Sequence, residues 1–163
     1  MIVIGVDPGL TGAMAFYDAD SDEVFATLDM PLTDRMYGSG SEIDWPLLRD
    51  QIEEIIDLMC ETREKDLLAA IENVGVMPKQ GAVSGFQFGR VIGGLESMFA
   101  VMRISQIKVH PATWKKRFGL VGTDKQACLD MVKATYPEAN LSLKKHHNRA
   151  DAIAIAVAGS KMV

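Results

Sequence analysis

Long apolar segments are missing from this sequence of 163 residues, although 48% of its residues are hydrophobic. No run approaches the roughly 20 apolar residues that a membrane-spanning helix requires. Residues 1–4 have neither the basic start nor the cleavage site of a signal peptide. We therefore expect a protein that works in the cytoplasm and does not associate with a membrane.

Cysteine is also scarce, and the sequence has no internal repeat or low-complexity tract. The two cysteines, Cys60 and Cys128, fall within patterns typical of helices, and a cytosolic protein keeps its thiols reduced, so we expect two buried free thiols. A chain of this length with 24% charged residues can form one substantial hydrophobic core. We therefore predict one domain over residues 1–163.

Basic residues are rare in the first part of the chain. Residues 1–72 contain 4 Lys and Arg against 17 Asp and Glu, a net charge of −13, whereas residues 73–163 contain 13 against 5, a net charge of +8; together they give the −5 of the whole chain. The second part can therefore offer a basic surface to a phosphate backbone. The alternative is that these lysines and arginines are scattered over a solvated surface.

The hydrophobic pattern predicts an α/β protein. Short apolar runs between turn signals predict strands at residues 1–6, 13–17, 24–28, 67–71 and 104–109. Apolar residues at helical spacing predict helices at about residues 45–63, 86–102, 111–118, 125–135 and 148–161. Residues 34–41 and 77–85 are predicted loops. The order of these elements predicts a mixed five-stranded sheet flanked by helices.

Three acidic residues lie at the ends of predicted elements in mostly apolar surroundings. Asp7 ends the first strand, Glu72 follows the fourth, and Asp151 lies in the first turn of an alanine-rich helix. If the two strands are neighbours and the helix packs across their ends, the three carboxylates converge. Like charges about 5 Å apart repel by roughly 3 kcal/mol per pair at an effective dielectric constant of 20. Such a cluster requires divalent cations or protons.

The chemistry of this cluster predicts a metal-dependent nuclease. Carboxylates with open positions suit Mg²⁺ or Mn²⁺, and two ions together stabilise the attacking water and the leaving oxygen in phosphodiester hydrolysis. The alternative gives each acid a local role: Asp7 in a turn, Glu72 at a surface strand end, and Asp151 near a helix N-terminus.

Three short motifs connect these acids to a known family. They are Ile-Gly-Val-Asp-Pro-Gly at residues 4–9, Ile-Glu-Asn at 71–73 and His-Asn-Arg-Ala-Asp-Ala at 147–152. Together they resemble the RuvC-like Holliday junction resolvases. Residues 109–116, with Lys125 in the next helix, resemble the pattern of the phage branch of that family. The resemblance spans nearly the whole chain.

The resemblance implies a ribonuclease H-like fold, a homodimer, and Mg²⁺- or Mn²⁺-dependent cleavage of opposed strands of a four-way junction, with two ions per site when DNA is bound. Asp7, Glu72 and Asp151 would be metal ligands. The family's usual fourth acid precedes the last aspartate by three or four positions, where this chain has His147 and Asn148. We predict His147 as the fourth catalytic and metal-binding member, one helical turn before Asp151. The alternative is that His146 and His147 form a polar lead-in to the helix that contacts phosphate.

Several residues of the basic part are predicted DNA contacts. In the segment at 77–90, Lys79 and Arg90 would hold phosphates, and an exposed Phe86 would stack on or wedge an unpaired base. The alternative for Phe86 is an anchor for the following helix in the core or a dimer interface. Lys125 would approach the scissile phosphate as a catalytic residue. The remaining predicted phosphate contacts are Lys115, Lys116, Arg117, Lys144, Lys145 and Arg149.

Two further features bear on packing. Trp114 is predicted to anchor its helix in the core. The pair Gly93 and Gly94 costs about 1 kcal/mol per residue in helix propensity, which close approach of another element would offset. A twofold dimer fits this pattern, because a four-way junction presents two equivalent strands.

Other functions share parts of this pattern. The segment Asp-Pro-Gly-Leu-Thr-Gly at residues 7–12 also resembles the first phosphate hairpin of actin-like sugar kinases and ATPases. Those proteins require two such domains, and this chain has the length of one. A noncatalytic junction-binding protein is disfavoured by the intact acids. A flap nuclease or general branched-DNA nuclease stays open, since junction choice depends on loops and dimer geometry.

Overall fold

A mixed five-stranded sheet forms the centre of the protein. The computed structural model describes residues 1–36, 38–60, 66–75, 81–139, 141–143 and 146–163. The strands are β1 (Ile2–Asp7), β2 (Ala13–Asp18), β3 (Glu23–Asp29), β4 (Leu32–Asp34), β5 (Ser41–Ile43), β6 (Leu67–Glu72) and β7 (Ser105–Val109). The main sheet has the order β3-β2-β1-β6-β7, with β1 to β3 antiparallel and with β6 and β7 parallel to β1. The predicted sheet is thereby confirmed.

Helices pack on both faces of this sheet. They are α1 (Trp45–Cys60), α2 (Ala82–Val101), α3 (Pro111–Arg117), α4 (Lys125–Thr135) and α5 (His147–Gly159), with a short 3-10 helix at Pro137–Ala139. None of the helices in the described ranges combines the length and apolar character needed to cross a membrane.

The boundaries differ from the predicted ones at two places. Residues 32–34 and 41–43 form a small two-stranded sheet, so the two ends of the predicted loop, Asp34 and Ser41, lie in strands. Helix α2 begins at Ala82, so the prediction that residues 82–85 form a loop is wrong. Gly81 is extended and its carbonyl accepts the Gly85 N–H at 3.0 Å, which starts the helix within a glycine-rich stretch that suggested a loop.

The two faces of the sheet bury different side chains. Alternate strand residues point to opposite faces, so Val3 and Ala70 pack with α3, α4 and α5, whereas Ile4 and Ile71 pack with α1 and α2. Helix α5 lies very close to β1: a Cβ on Gly5 would be 2.5 Å from the backbone nitrogen of Ala156. Because Gly5 has no side chain, α5 can pack this closely on the sheet, and Asp151 is positioned with it.

Candidate active site

Three acidic side chains meet at one edge of the sheet. Strand β1 pairs in parallel with β6, with Val6 opposite Ile71, so Asp7 and Glu72 both lie at carboxyl ends of adjacent strands. Helix α5 packs across β1 and carries Asp151 in its second turn. Strand pairing and the packing of α5 on the sheet therefore bring the three acids to the same edge.

Of the three acids, Asp7 has the most strongly raised pKa. Burial and the negative charges of Glu72 and Asp151 raise its pKa from 3.8 to about 7. The positive charges of Lys125 and Lys115 act in the opposite direction without cancelling this effect. At neutral pH Asp7 is therefore divided between its protonated and ionised forms.

Glu72 is buried, with 9% of its surface exposed. Its Oε1 accepts a hydrogen bond from the indole Nε1 of Trp114 at 2.8 Å. Burial raises the Glu72 pKa, and the Trp114 hydrogen bond partly offsets the rise because it stabilises the ionised form. The carboxylate thus has a fixed partner on one of its oxygens.

Asp151 is raised in pKa mainly by burial, and four neighbours oppose the rise. The largest opposing effect comes from the Cys128 thiol beside it, followed by the charges of Lys115, Lys125 and His147. Burial of Cys128 and the negative charge of Asp151 raise the pKa of the Cys128 thiol, so this thiol stays protonated.

The donor set suits a hard divalent cation. The pKa values of all three carboxyl groups are raised, so their ionised forms are disfavoured. Mg²⁺ or Mn²⁺, which prefer oxygen ligands, would stabilise these ionised forms. Within the described residues, no three His, Cys, Asp or Glu side chains already lie at metal-binding distances. Carboxylates repel one another without a cation between them, and small rotations about their side-chain bonds change their separation by ångströms.

Two lysines lie beside the acids. Lys115 and Lys125 line a small cavity of about 70 Å³ together with Asp151, and both lower the pKa of Asp7. Lys116 and Arg117 follow Lys115 in the last turn of α3 and are exposed. The cluster and these cations therefore occupy the same end of the molecule.

Comparison with solved structures finds known proteins that share this fold. RuvC of Thermus thermophilus in complex with Holliday junction substrate matches with a TM-score of 0.65 and 15% sequence identity, over 99% of this chain and 96% of that chain. The fold is ribonuclease H-like. A second structure of Thermus thermophilus RuvC matches with a TM-score of 0.58 and 15% identity, over 98% of this chain and 93% of that chain. Scans against protein-family models and curated protein sequences find no match.

The predicted fourth member, His147, is the first residue of α5 in this ribonuclease H-like fold. Its charge lowers the Asp151 pKa, but by less than the other neighbours do. It also lines a cleft of about 470 Å³ with Leu10 and Met30. The amide of Asn148 donates to the backbone carbonyl of Thr11, which ties the start of α5 to the loop after Asp7. His147 in a metal site stays a prediction.

The remaining predicted DNA contacts differ in their exposure and in their ion-pair partners. Phe86 lies on α2 with 67% of its surface exposed. Arg90 lies 3.6 Å from Glu42, and Arg149 donates two hydrogen bonds to Asp29, at 2.6 and 2.7 Å. The Arg149 ion pair holds its guanidinium away from free solvent, so phosphate would compete with Asp29. Three predicted contacts lie outside the described residues: Lys79, Lys144 and Lys145.

Sequence reasoning missed two partners of the acids. Trp114 is buried as predicted, but it also donates to Glu72, and Cys128 is a buried free thiol as predicted, but it also lies beside Asp151 and lowers its pKa. Cys60, the other free cysteine, is only half-buried. A signal for Trp114 existed: it lies in the first turn of α3, the helix that follows directly after β7, and β7 is the neighbour of the strand that carries Glu72.

Proposed function

We propose that this protein is a divalent-metal-dependent endodeoxyribonuclease that resolves Holliday junctions and related branched DNA, similar to the phage branch of the RuvC-like resolvases. The observation that supports it most is the meeting of Asp7, Glu72 and Asp151 at the carboxyl edge of the sheet, with raised pKa values and two lysines beside them. The similarity in fold to a RuvC bound to a junction supports the choice of substrate.

Asp7, Glu72 and Asp151 would hold Mg²⁺ or Mn²⁺, with His147 as the fourth member and two ions per site when DNA is bound. Such ions supply a water nucleophile at neutral pH and neutralise charge on the phosphodiester. The chain's own contribution would be a set of oxygen donors: strand pairing places Asp7 and Glu72 at the ends of adjacent strands, and the close packing of α5 on β1 places Asp151 at the same edge of the sheet.

Lys115 and Lys125 would bind the phosphate that is cut. Both exert their positive charge on Asp7 and Asp151, so a phosphate held by them would lie against the acids. The flanking DNA would then run over exposed Lys116 and Arg117, and over the other proposed contacts: Lys79, Phe86, Arg90, Lys144, Lys145 and Arg149. A homodimer would place two such sites on the two equivalent strands of a junction.

Cleavage assays with labelled four-way junction, flap and linear duplex, each in Mg²⁺ and in Mn²⁺, test this proposal. We expect the unchanged protein to cut the junction, and Asp7→Asn, Glu72→Gln and Asp151→Asn each to abolish cutting. Binding of the junction in Ca²⁺, measured by gel shift, should stay within a few-fold for all three. Asp130→Asn, an exposed aspartate on α4, is the matched control and should cut normally.

Two results would change the proposal. Equal cutting of flap and junction would make the protein a general branched-DNA nuclease. Binding of the junction without cutting of any substrate would favour a noncatalytic junction-binding protein on the same fold.

A further inference from the structure

We propose that Trp114 is a positioning residue for the active site: its indole N–H orients Glu72 for metal binding, and its ring positions Lys115 toward the phosphate. This inference rests on the function proposed above. It assigns a role in the site to a residue that has neither a negative charge nor a side-chain oxygen that could bind a metal. The buried position of Trp114 alone would suggest only a role in the core.

The position of Trp114 is set by the sheet. Val109 of β7 is paired with Glu72 of β6. The next residue, His110, caps α3 through its Nδ1, which accepts the Ala112 N–H at 3.1 Å, and Pro111 begins the helix. Trp114 therefore lies one helical turn beyond the strand that neighbours Glu72, and it is 2% exposed.

The hydrogen bond has the chemistry of a positioning contact. An indole N–H only donates, so it holds one carboxylate oxygen and cannot compete with that carboxylate for a cation. At 2.8 Å in a buried setting, the bond restricts the Glu72 side chain to one orientation. The second oxygen, Oε2, would then be the one that binds a metal ion. Outer partners of this kind orient ligands in metal sites generally.

The face of the same ring holds a lysine. The Nζ of Lys115 lies 5.2 Å from the centroid of the Trp114 ring, within the range of a cation–π contact. The charge of Lys115 lowers the pKa values of Asp7, Glu72 and Asp151 alike, which places it near all three acids. One indole thus contacts both the acid side and the phosphate side of the site.

A purely structural role for Trp114 makes a different prediction. Trp114 belongs to the hydrophobic core with Leu120 and Leu129, so any substitution will lower the stability of the protein to some degree. Loss of packing alone would not change the metal concentration at which the folded site is half-saturated. Loss of a positioning contact would.

The test measures Mn²⁺ binding without any DNA or catalysis. Isothermal titration calorimetry at one fixed temperature measures the half-saturating Mn²⁺ concentration of the folded, unchanged protein and of Trp114→Phe, which keeps an aromatic ring and removes the N–H. We expect the half-saturating Mn²⁺ concentration to rise about tenfold. In a Glu72→Gln background the same substitution should cause no further rise, because the partner carboxylate is already gone.

Trp45 offers a matched control, because it is the other tryptophan and packs against Gly94 on the opposite face of the sheet. Trp45→Phe should leave the half-saturating Mn²⁺ concentration unchanged. It also leaves Trp114 as the sole tryptophan, so bound Mn²⁺, which is paramagnetic, should quench the fluorescence of Trp45→Phe much more than that of Trp114→Phe.

The outcomes separate the two proposals. An Mn²⁺ response that Asp7→Asn removes but Trp114→Phe leaves within twofold would overturn the role of Trp114 alone. No Mn²⁺ response in the unchanged protein would overturn the proposed metal site and this inference with it. If Trp114→Phe does not fold, benzothienylalanine in the Trp45→Phe background replaces the N–H by sulfur in the same shape, and an unchanged half-saturation would again reject the inference.

Discussion

The helices on the two faces of the sheet pack by different means. On the face of α3, α4 and α5, alanines and glycines bring backbone against backbone, so a Cβ on Gly159 would be 2.5 Å from the Cβ of Ala70. On the face of α1 and α2, large side chains such as Ile52, Leu95 and Phe99 fill the space between helix and sheet.

The candidate site lies on the closely packed face. Asp151 and the side chains that act on the acids, Trp114, Lys115, Lys125 and Cys128, all belong to the closely packed face. Backbone packing leaves little room for adjustment, since a close-packed interior transmits a small shift to its neighbours. The close face therefore sets the geometry of the acids, whereas the other face contributes mainly to stability.

The largest expected effect comes from filling the closest contact. A Cβ on Gly5 would overlap the carbonyl oxygen of Ala152 and approach the nitrogen of Ala156 to 2.5 Å, and neither backbone atom can rotate away. We expect Gly5→Ala to lower the free energy of unfolding by about 3 kcal/mol or more and the melting temperature by roughly 6–12 °C. Thermal denaturation measures both.

Gly75→Ala serves as the control for this substitution, because no described atom lies within 4 Å of a Cβ there. Gly5→Ala should also weaken the Mn²⁺ response, since α5 carries Asp151. An unchanged melting temperature would show that α5 can move away from the sheet without cost and would remove the contrast between the two faces.

The second-largest expected effect concerns the charge of Asp7, on the face of α3, α4 and α5. The Asp7 pKa is about 7 in the folded protein, above the ordinary value of 3.8, so folding favours the protonated acid. The resulting stabilisation is fully present below pH 3.8 and is lost as the pH rises through 7. In EDTA at pH 8, Asp7→Asn should therefore raise the free energy of unfolding by roughly 2–3 kcal/mol.

The pH dependence of this effect separates charge from shape. The gain from Asp7→Asn should shrink steadily below pH 7 and vanish near pH 4, as followed by urea denaturation at each pH. Asp57→Asn, an exposed aspartate of α1, should change stability little at any pH. A gain from Asp7→Asn that persists unchanged at pH 4 would mean that shape, not charge, is responsible.

Much of this architecture could be predicted from the sequence because local signals agreed with the tertiary structure. The apolar run before Asp7 and the one before Glu72 became adjacent parallel strands, and the alanine-rich helix carrying Asp151 packed closely against them. In each case the side-chain pattern within one element indicates which face of that element is buried.

The parts that could not be predicted depend on contacts between distant residues. The bond from Trp114 to Glu72 spans 42 positions, and the ion pair from Arg149 to Asp29 spans 120. Nothing in either local sequence specifies such a partner. The start of α2 was wrong for a different reason: Gly81 and Gly85 suggest a loop because glycine disfavours a helix, yet the Gly85 N–H donates to the Gly81 carbonyl and the first turn is helical.

A third, smaller effect is expected on the opposite face. The sequence suggested that another element approaches the glycine pair in α2 closely, and this is confirmed for Gly94, where a Cβ would overlap the ring of Trp45. The ring is a half-buried side chain and can shift, unlike a backbone atom. We expect Gly94→Ala to cost about 1–2 kcal/mol in unfolding free energy and to leave the Mn²⁺ response unchanged. A weakened Mn²⁺ response would show that this face also sets the site.

The smallest effect is expected at the neighbouring residue and has the opposite sign. Gly93 is exposed, and a Cβ there would meet no described atom within 4 Å. Alanine favours a helix interior over glycine, so Gly93→Ala should raise the free energy of unfolding by about 0.5–1 kcal/mol. Thermal denaturation at two protein concentrations measures this gain. A loss of stability that grows as the protein is diluted would instead indicate that a second copy packs on this side of α2, because a methyl group would then separate the two chains of a dimer.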